Sequence, residues 1–377
     1  MTPVEPLLRG VLVTALMVLV GAPPVFGFAV FPELARRGLD TAPAARVARG
    51  ALVWTLLVAL ASGAGLAAVR AGGIGALGGW SVGTAAGGAW VALTAVGVGL
   101  IAVTVARRSA PDALSRRRWL CTVLVGGSAM LLAFCWTRYS SAVDSAALAI
   151  SVKFLHMLSA AVWVGGLGVL AALPRLVPGE GGDDAASVAA ALVRRFSLLA
   201  VAAVTVAFVT GVLIVTWHVP SAVALVTTPY GLALSLKVLL VLGAAGLGGF
   251  NRFVVHQHLQ HAGREGGALP GLAVFAALHG EGDAVASLVR AVRLELAVLL
   301  AVVAVSVLLT STFAPSYEAL SVPAPTAGAL LDVGRQTTDA AFDAVFRSAL
   351  EFGAIGIALL GSLTLGYELG EFSVRRQ

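Results

Sequence analysis

The sequence predicts an all-α membrane protein, a polytopic bundle of about nine transmembrane helices. Three observations carry this. Only 12% of the 377 residues are charged and 59% are hydrophobic, whereas soluble domains carry about 25% charged residues. Mean hydropathy is +0.95. Nine runs approach the roughly 20 apolar residues that cross a bilayer. Such a composition cannot coat a core with an ordinary water-facing surface, which argues against a soluble enzyme, a disordered regulator or a disulfide scaffold. The formal charge of +6 is read as arginine-rich loops on the cytoplasmic side rather than a nucleic-acid surface.

The first run is Leu7–Phe31, interrupted by Pro23-Pro24. Arg9 is the only basic residue at its start, Glu5 offsets that charge, and no small-x-small cleavage site follows, so it reads as a retained first helix rather than a signal peptide. The second run is Ala51–Val69, the third Trp80–Val105 and the fourth Trp119–Trp136. Cys121 and Cys135 lie fourteen residues apart in that fourth run, ~21 Å along a helix, and read as separate apolar thiols. The fifth run is Ala147–Leu173, the sixth Phe196–Trp217, the seventh Tyr230–Phe250 and the eighth Leu294–Phe313. The ninth, Leu350–Leu369, is weaker and carries Glu351 and Glu368 at its ends.

Arginine orients the bundle. With the N-terminus outside, the inner loops and tail hold 18 arginines and the outer loops five, the bias expected of cytoplasmic loops. Two loops are long: 251–292 inside and 314–349 outside. The outer one mixes Leu330, Val333, Phe342 and Phe346 with Asp332, Asp339 and Asp343, the pattern of a surface-lying helix as well as of a solvated loop. Arg46 to Ser62-Gly63 repeats the spacing of Arg194 to Thr210-Gly211, and Thr84 to Leu93 that of Thr228 to Lys237. The expected organisation is an eight-helix core of two parallel four-helix halves, 1–146 and 147–313, then the outer loop 314–349 and a ninth helix with cytoplasmic tail, 350–377.

The chemistry is expected where a membrane helix carries what it should not. Of 25 basic residues only Lys153 and Lys237 are lysines, and both sit inside apolar runs, where a charge costs roughly 2.5–3.5 kcal/mol at the helix centre. Lys153 and His156, three apart, share a face, and Trp163 continues it seven residues later. Tyr230 and Lys237 form a stripe on the seventh run, and His218 ends the sixth. These residues are expected to form one polar pocket in the outer half, with His156 and His218 as metal ligands and Lys153, Trp163, Tyr230 and Lys237 lining it. Each also has a plainer reading. The lysines can snorkel, and His218 and Tyr230 suit an interfacial belt. Met157 adjoins His156 but points about 100° away. His256, His258 and His261 form a second cluster in the inner loop, read as a cytoplasmic metal relay or as a solvated loop. Glu295 is expected near the inner end of its helix beside Arg293. The Gly73–Gly78 string fits a dinucleotide fingerprint literally but follows no strand. No catalytic motif is present, and no enzymatic activity is expected.

The segment Lys153-Phe154-Leu155-His156-Met157 through Trp163-Val164-Gly165-Gly166 resembles the copper resistance protein D family. Arg195-Phe196-Ser197, Thr210-Gly211, Thr227-Thr228-Pro229-Tyr230-Gly231, Lys237 and Asn251-Arg252 follow in that family's order. The resemblance covers residues 150–313 well and 1–149 in topology only. It implies an eight-helix cytoplasmic-membrane protein of copper uptake or tolerance, with Lys153, His156 and Lys237 as site residues. The chain departs from the family in lacking a Met-rich segment and in adding a ninth helix and a long outer loop. The expected function is copper-ion movement across the cell membrane. The expected partners are the lipid bilayer, a metal ion and an extracytoplasmic copper-binding protein, with no nucleic acid. The alternatives are a membrane redox module holding haem b or a quinone, and a non-transporting sensor or scaffold.

Overall fold

A computed structural model describes residues 4–106, 113–137, 145–176, 183–219, 221–250, 284–310 and 329–374. Among the described residues nine helices are long and apolar enough to cross a membrane, and every regular element is helical. They are α1 (Val4–Arg36), α2 (Ala42–Ala71), α3 (Ala85–Ala106), α4 (Ala113–Trp136), α5 (Ala146–Ala171), α6 (Asp183–His218), α7 (Pro229–Phe250), α8 (Ala284–Leu309) and α9 (Ala329–Val374). The nine-span bundle expected from the sequence is present.

The interruption at Pro23-Pro24 does not break α1. Both prolines lie inside the helix, and without N–H groups they leave the carbonyls four residues earlier unpaired. The chain answers just downstream by widening into π register over Phe26–Val30, where the Phe31 N–H bonds to the Phe26 carbonyl, before resuming as α-helix over Phe31–Arg36. The helix outruns the apolar stretch because Glu33, fully buried, gathers Arg36, Arg37 and Arg195.

α1 is the centre of the bundle. Leu12, Leu16, Leu19, Val20 and Val25 are wholly buried, and the helix packs against α2, α4, α5 and α8. Its closest approach is to α5. A side chain on Gly21 would meet the Ala161 backbone, and one on Gly165 would lie 2.7 Å from the Gly21 backbone. Without a hydrophobic drive between helices in lipid, such small-residue crossings let dispersion and backbone contact hold them together. Gly166 makes the next contact, because a side chain there would strike the Phe196 ring of α6. The two adjacent glycines thus seat α5 on α1 with one and on α6 with the other.

One local device occurs twice along the chain. α3 is preceded by a short helix, Leu77–Gly83, and α7 by Ala224–Thr227. At each junction a threonine caps the long helix: the Gly87 N–H bonds to Thr84 Oγ1 and the Gly231 N–H to Thr228 Oγ1, both at 2.9 Å. Each hydroxyl in turn donates back to the preceding short helix, to the Trp80 and Ala224 carbonyls. Each glycine lies against that short helix, where a side chain would meet backbone atoms. Ser62 and Thr210 form a second matched pair, each bonding back at 2.6 Å to the carbonyl four residues earlier. The spacing seen in the sequence therefore corresponds to shared local geometry.

The third helix begins at Ala85 rather than Trp80, because Thr84 turns extended and starts it afresh. α2 stops at Gly72, whose φ of +83° glycine tolerates without a steric cost; the Gly73 N–H then bonds back to Ala68 at 2.9 Å. The glycine string that follows forms a 3₁₀ turn and a short helix, with no strand before it. Stretch 330–346 and the ninth apolar run form a single helix, α9. Its 46 residues would extend ~69 Å, more than twice a hydrocarbon core of about 30 Å; the apolar window is Asp343–Gly366.

Candidate functional site

His156 lies ten residues into α5, about 15 Å from its start, inside a helix long and apolar enough to cross a membrane. Its imidazole turns toward α6. Nδ1 is 3.0 Å from the Ala207 carbonyl and 3.1 Å from Thr210 Oγ1. A carbonyl only accepts, and the Thr210 hydroxyl already donates to Val206 at 2.6 Å. Nδ1 therefore carries the hydrogen, and in the neutral ring Nε2 presents a bare lone pair. This is the arrangement of a metal-binding imidazole, whose second nitrogen is held by a backbone carbonyl or similar acceptor. Nε2 has no partner among the described residues. Gly211 makes the seat possible: a side chain there would lie 3.3 Å from His156 Cε1.

Lys237 of α7 stands within electrostatic reach of His156. It has no hydrogen-bond or ion-pair partner among the described residues.

The other expected pocket residues disperse. Lys153 turns to α4, with Nζ 5.9 Å from the centroid of the Phe134 ring. Three-residue spacing puts it only loosely on the His156 face, and the two side chains diverge to different neighbours. Trp163 is buried and donates its indole N–H to Glu295 Oε1 of α8 at 2.9 Å. Glu295 is 3% exposed and lies against Gly248 of α7. The expected role beside Arg293 thus gives way to a membrane-buried carboxylate touching the tryptophan stripe. Tyr230 packs with Val219, Ala224, Leu234 and Leu309 at the start of α7. Nδ1 of His218 bonds to the Ile214 carbonyl at 2.8 Å. Ala207 and Ile214 are seven residues apart on one face of α6, so the two histidines are tied to points roughly 10 Å apart along the helix. The two rings are therefore held at different levels of α6. That separation does not fit a haem held by both imidazoles. His256, His258 and His261 lie outside the described residues.

Thr210, Gly211 and Glu295 escaped recognition as site residues. Thr210-Gly211 stands out in the sequence through its spacing, matched by Ser62-Gly63, and through the family resemblance, and neither points to His156. Among the described residues no group of three or more His, Cys, Asp and Glu side chains could hold a metal ion. One bare imidazole nitrogen with a nearby amine suits transient contact with a passing ion better than a closed resident site.

Comparison with known proteins agrees with this region of the chain. Residues 190–309 match the family model described as copper resistance protein D. The copper transport protein CutJ of Bacillus subtilis (strain 168) is 38% identical over 120 residues, 30% of this chain and 22% of that protein. The match therefore spans about a fifth of the relative's length. No solved structure matches the chain. The matched residues 190–309 carry the Thr210-Gly211 seat of His156, Lys237, Glu295 and most of α6 to α8, and this segment is similar to the copper resistance protein D family.

Proposed function

We propose that this protein moves copper ions across the cell membrane, by a path that passes His218 and then His156. The observation that carries the reading is the His156 imidazole, held by Ala207 and Thr210 with Nε2 free, inside a helix long and apolar enough to cross a membrane. Imidazole suits copper in either oxidation state. Lys237 adjusts the charge that the ion meets, and the Trp163–Glu295 contact places a carboxylate further along the same faces of α5 and α7. The family relationship of residues 190–309 and the name of the Bacillus relative support copper as the cargo. The two four-helix halves 1–146 and 147–313 form the carrier, and α9 is an addition to it. His256, His258 and His261 would receive the ion inside, and an extracytoplasmic copper-binding protein would deliver it.

Copper accumulation in cells tests this. At equal expression, His156→Ala and Lys237→Ala are each expected to reduce copper accumulation to that of cells lacking the protein. Unchanged accumulation in both sinks the reading. The orientation is tested separately. With 18 arginines against five favouring an inside C-terminus, a phosphatase active only outside the cytoplasm should be silent when fused after Gln377. It should be active when fused ahead of Val4.

A further inference from the structure

His156 occupies one face of α5, and the neighbouring face carries a second cluster that the path above does not use. Cys135, near the end of α4, is completely buried, and its Sγ lies 3.7 Å from the Sδ of Met157. Lys153 stands four residues before Met157, one turn away on the same face. Its Nζ sits over Phe134, the residue before Cys135, and within electrostatic reach of the Cys135 sulphur. Met157 follows His156 directly, yet its sulphur goes to α4 while the imidazole goes to α6.

We infer that Cys135 and Met157 form a two-sulphur site for a soft monovalent cation, Cu(I). The inference rests on the copper reading for the identity of the ion. The geometry accommodates one: an ion ~2.3 Å from each sulphur spans a 3.7 Å pair at an angle of roughly 107°. A thiolate and a thioether together select Cu(I) over harder divalent ions, whereas the imidazole of His156 accepts either oxidation state of copper. The thiol proton leaves to solvent as the ion binds, so S–H is exchanged for S–Cu and the net charge of the site is unchanged. The chain thus holds a soft station and a nitrogen station at adjacent residues of α5. A chain without a Met-rich segment supplies sulphur from one cysteine and one methionine on different helices.

The test uses the full-length purified protein carrying Cys121→Ala, so that Cys135 is its only cysteine. It is loaded anaerobically with one equivalent of Cu(I). X-ray absorption at the copper edge is expected to show sulphur neighbours at ~2.3 Å, and His156→Ala should retain them. Competition with a chromophoric chelator should show Cys135→Ser and Met157→Leu each weakened at least roughly tenfold, since an outer partner alone costs about 10–100-fold. Nitrogen and oxygen neighbours only, no bound Cu(I), or unchanged affinity in both variants overturns the site. The absorption measurement alters neither Cys135 nor Met157, so misfolding of a variant leaves it intact. Copper uptake that needs His156 in a protein whose Cu(I) has only nitrogen neighbours overturns this site and leaves the path standing. Sulphur-bound Cu(I) with uptake indifferent to His156 supports the site and overturns the path.

Discussion

Replacing Gly21 by Val is expected to abolish the folded protein, as is Gly165→Val. At Gly21 the new side chain would overlap the Ala161 backbone, and at Gly165 it would meet Gly21 itself. Overpacking a core usually costs about 1–3 kcal/mol because side chains move aside. Here the atoms that would have to move are main chain on both helices, so relief requires α1 and α5 to separate. That separation breaks the closest crossing that α1 makes in the bundle. Gly168 supplies the control within the same helix. Nothing lies within 4 Å of a side chain built there, and alanine gains about 0.8–1 kcal/mol of helix propensity over glycine. Detergent-solubilised Gly168→Ala should elute as a single species with an equal or higher melting temperature. Gly21→Val should aggregate or be degraded. A monodisperse Gly21→Val protein would show that the fold does not depend on this crossing of α1 and α5.

Glu33→Ala is expected to destabilise the protein by about 3–5 kcal/mol, the cost of leaving a buried charge unpaired. The Glu33 carboxylate accepts from Arg36 at 2.5 Å and Arg37 at 2.7 Å, and pairs with Arg195 of α6 at 3.1 Å. Arg36 is largely exposed, so its share is worth about 1 kcal/mol or less. The cost comes from Arg195, which is 8% exposed and also donates to the Phe28 carbonyl in the π-turn of α1. Arg37 adds a second tie from the end of α1 to Ser187 of α6. Removing both charges should cost less than removing one. Thermal unfolding in detergent is expected to place Glu33→Leu with Arg195→Met above Glu33→Ala alone. Equal melting of wild type and Glu33→Ala would show that the cluster is not a clamp.

The spans were legible because a bilayer demands about 20 apolar residues whatever the fold. Their ends were legible only where no distant partner intervenes. α1 runs past Phe31 and α6 begins before Phe196 because Glu33 and Arg195 neutralise each other across 162 positions of sequence. Arg9 and Arg70, counted as outer-loop charges, instead join Glu5 in a cluster that also reaches Trp90 and Thr310. A pair this remote in sequence leaves no local periodicity. For the site, the position of His156 and of the two lysines within apolar helices could be read directly, since it follows from the hydrophobic runs alone. Direction could not. Three residues rotate a helix by about 300°, so Lys153 and His156 share a face or part according to which neighbours sit beside them. α4 takes the first and α6 the second. Trp163 illustrates the same limit, because its stripe was visible while Glu295, its partner, lies 132 residues away.

The central claim is that His156 meets the moving copper ion. Radiolabelled copper uptake into proteoliposomes of the purified protein tests it most directly. The wild type should show saturable uptake, His218→Ala should keep it with weaker apparent affinity, and His156→Ala should fall to the rate of empty liposomes. Uptake by His156→Ala equal to that of the wild type would contradict the account.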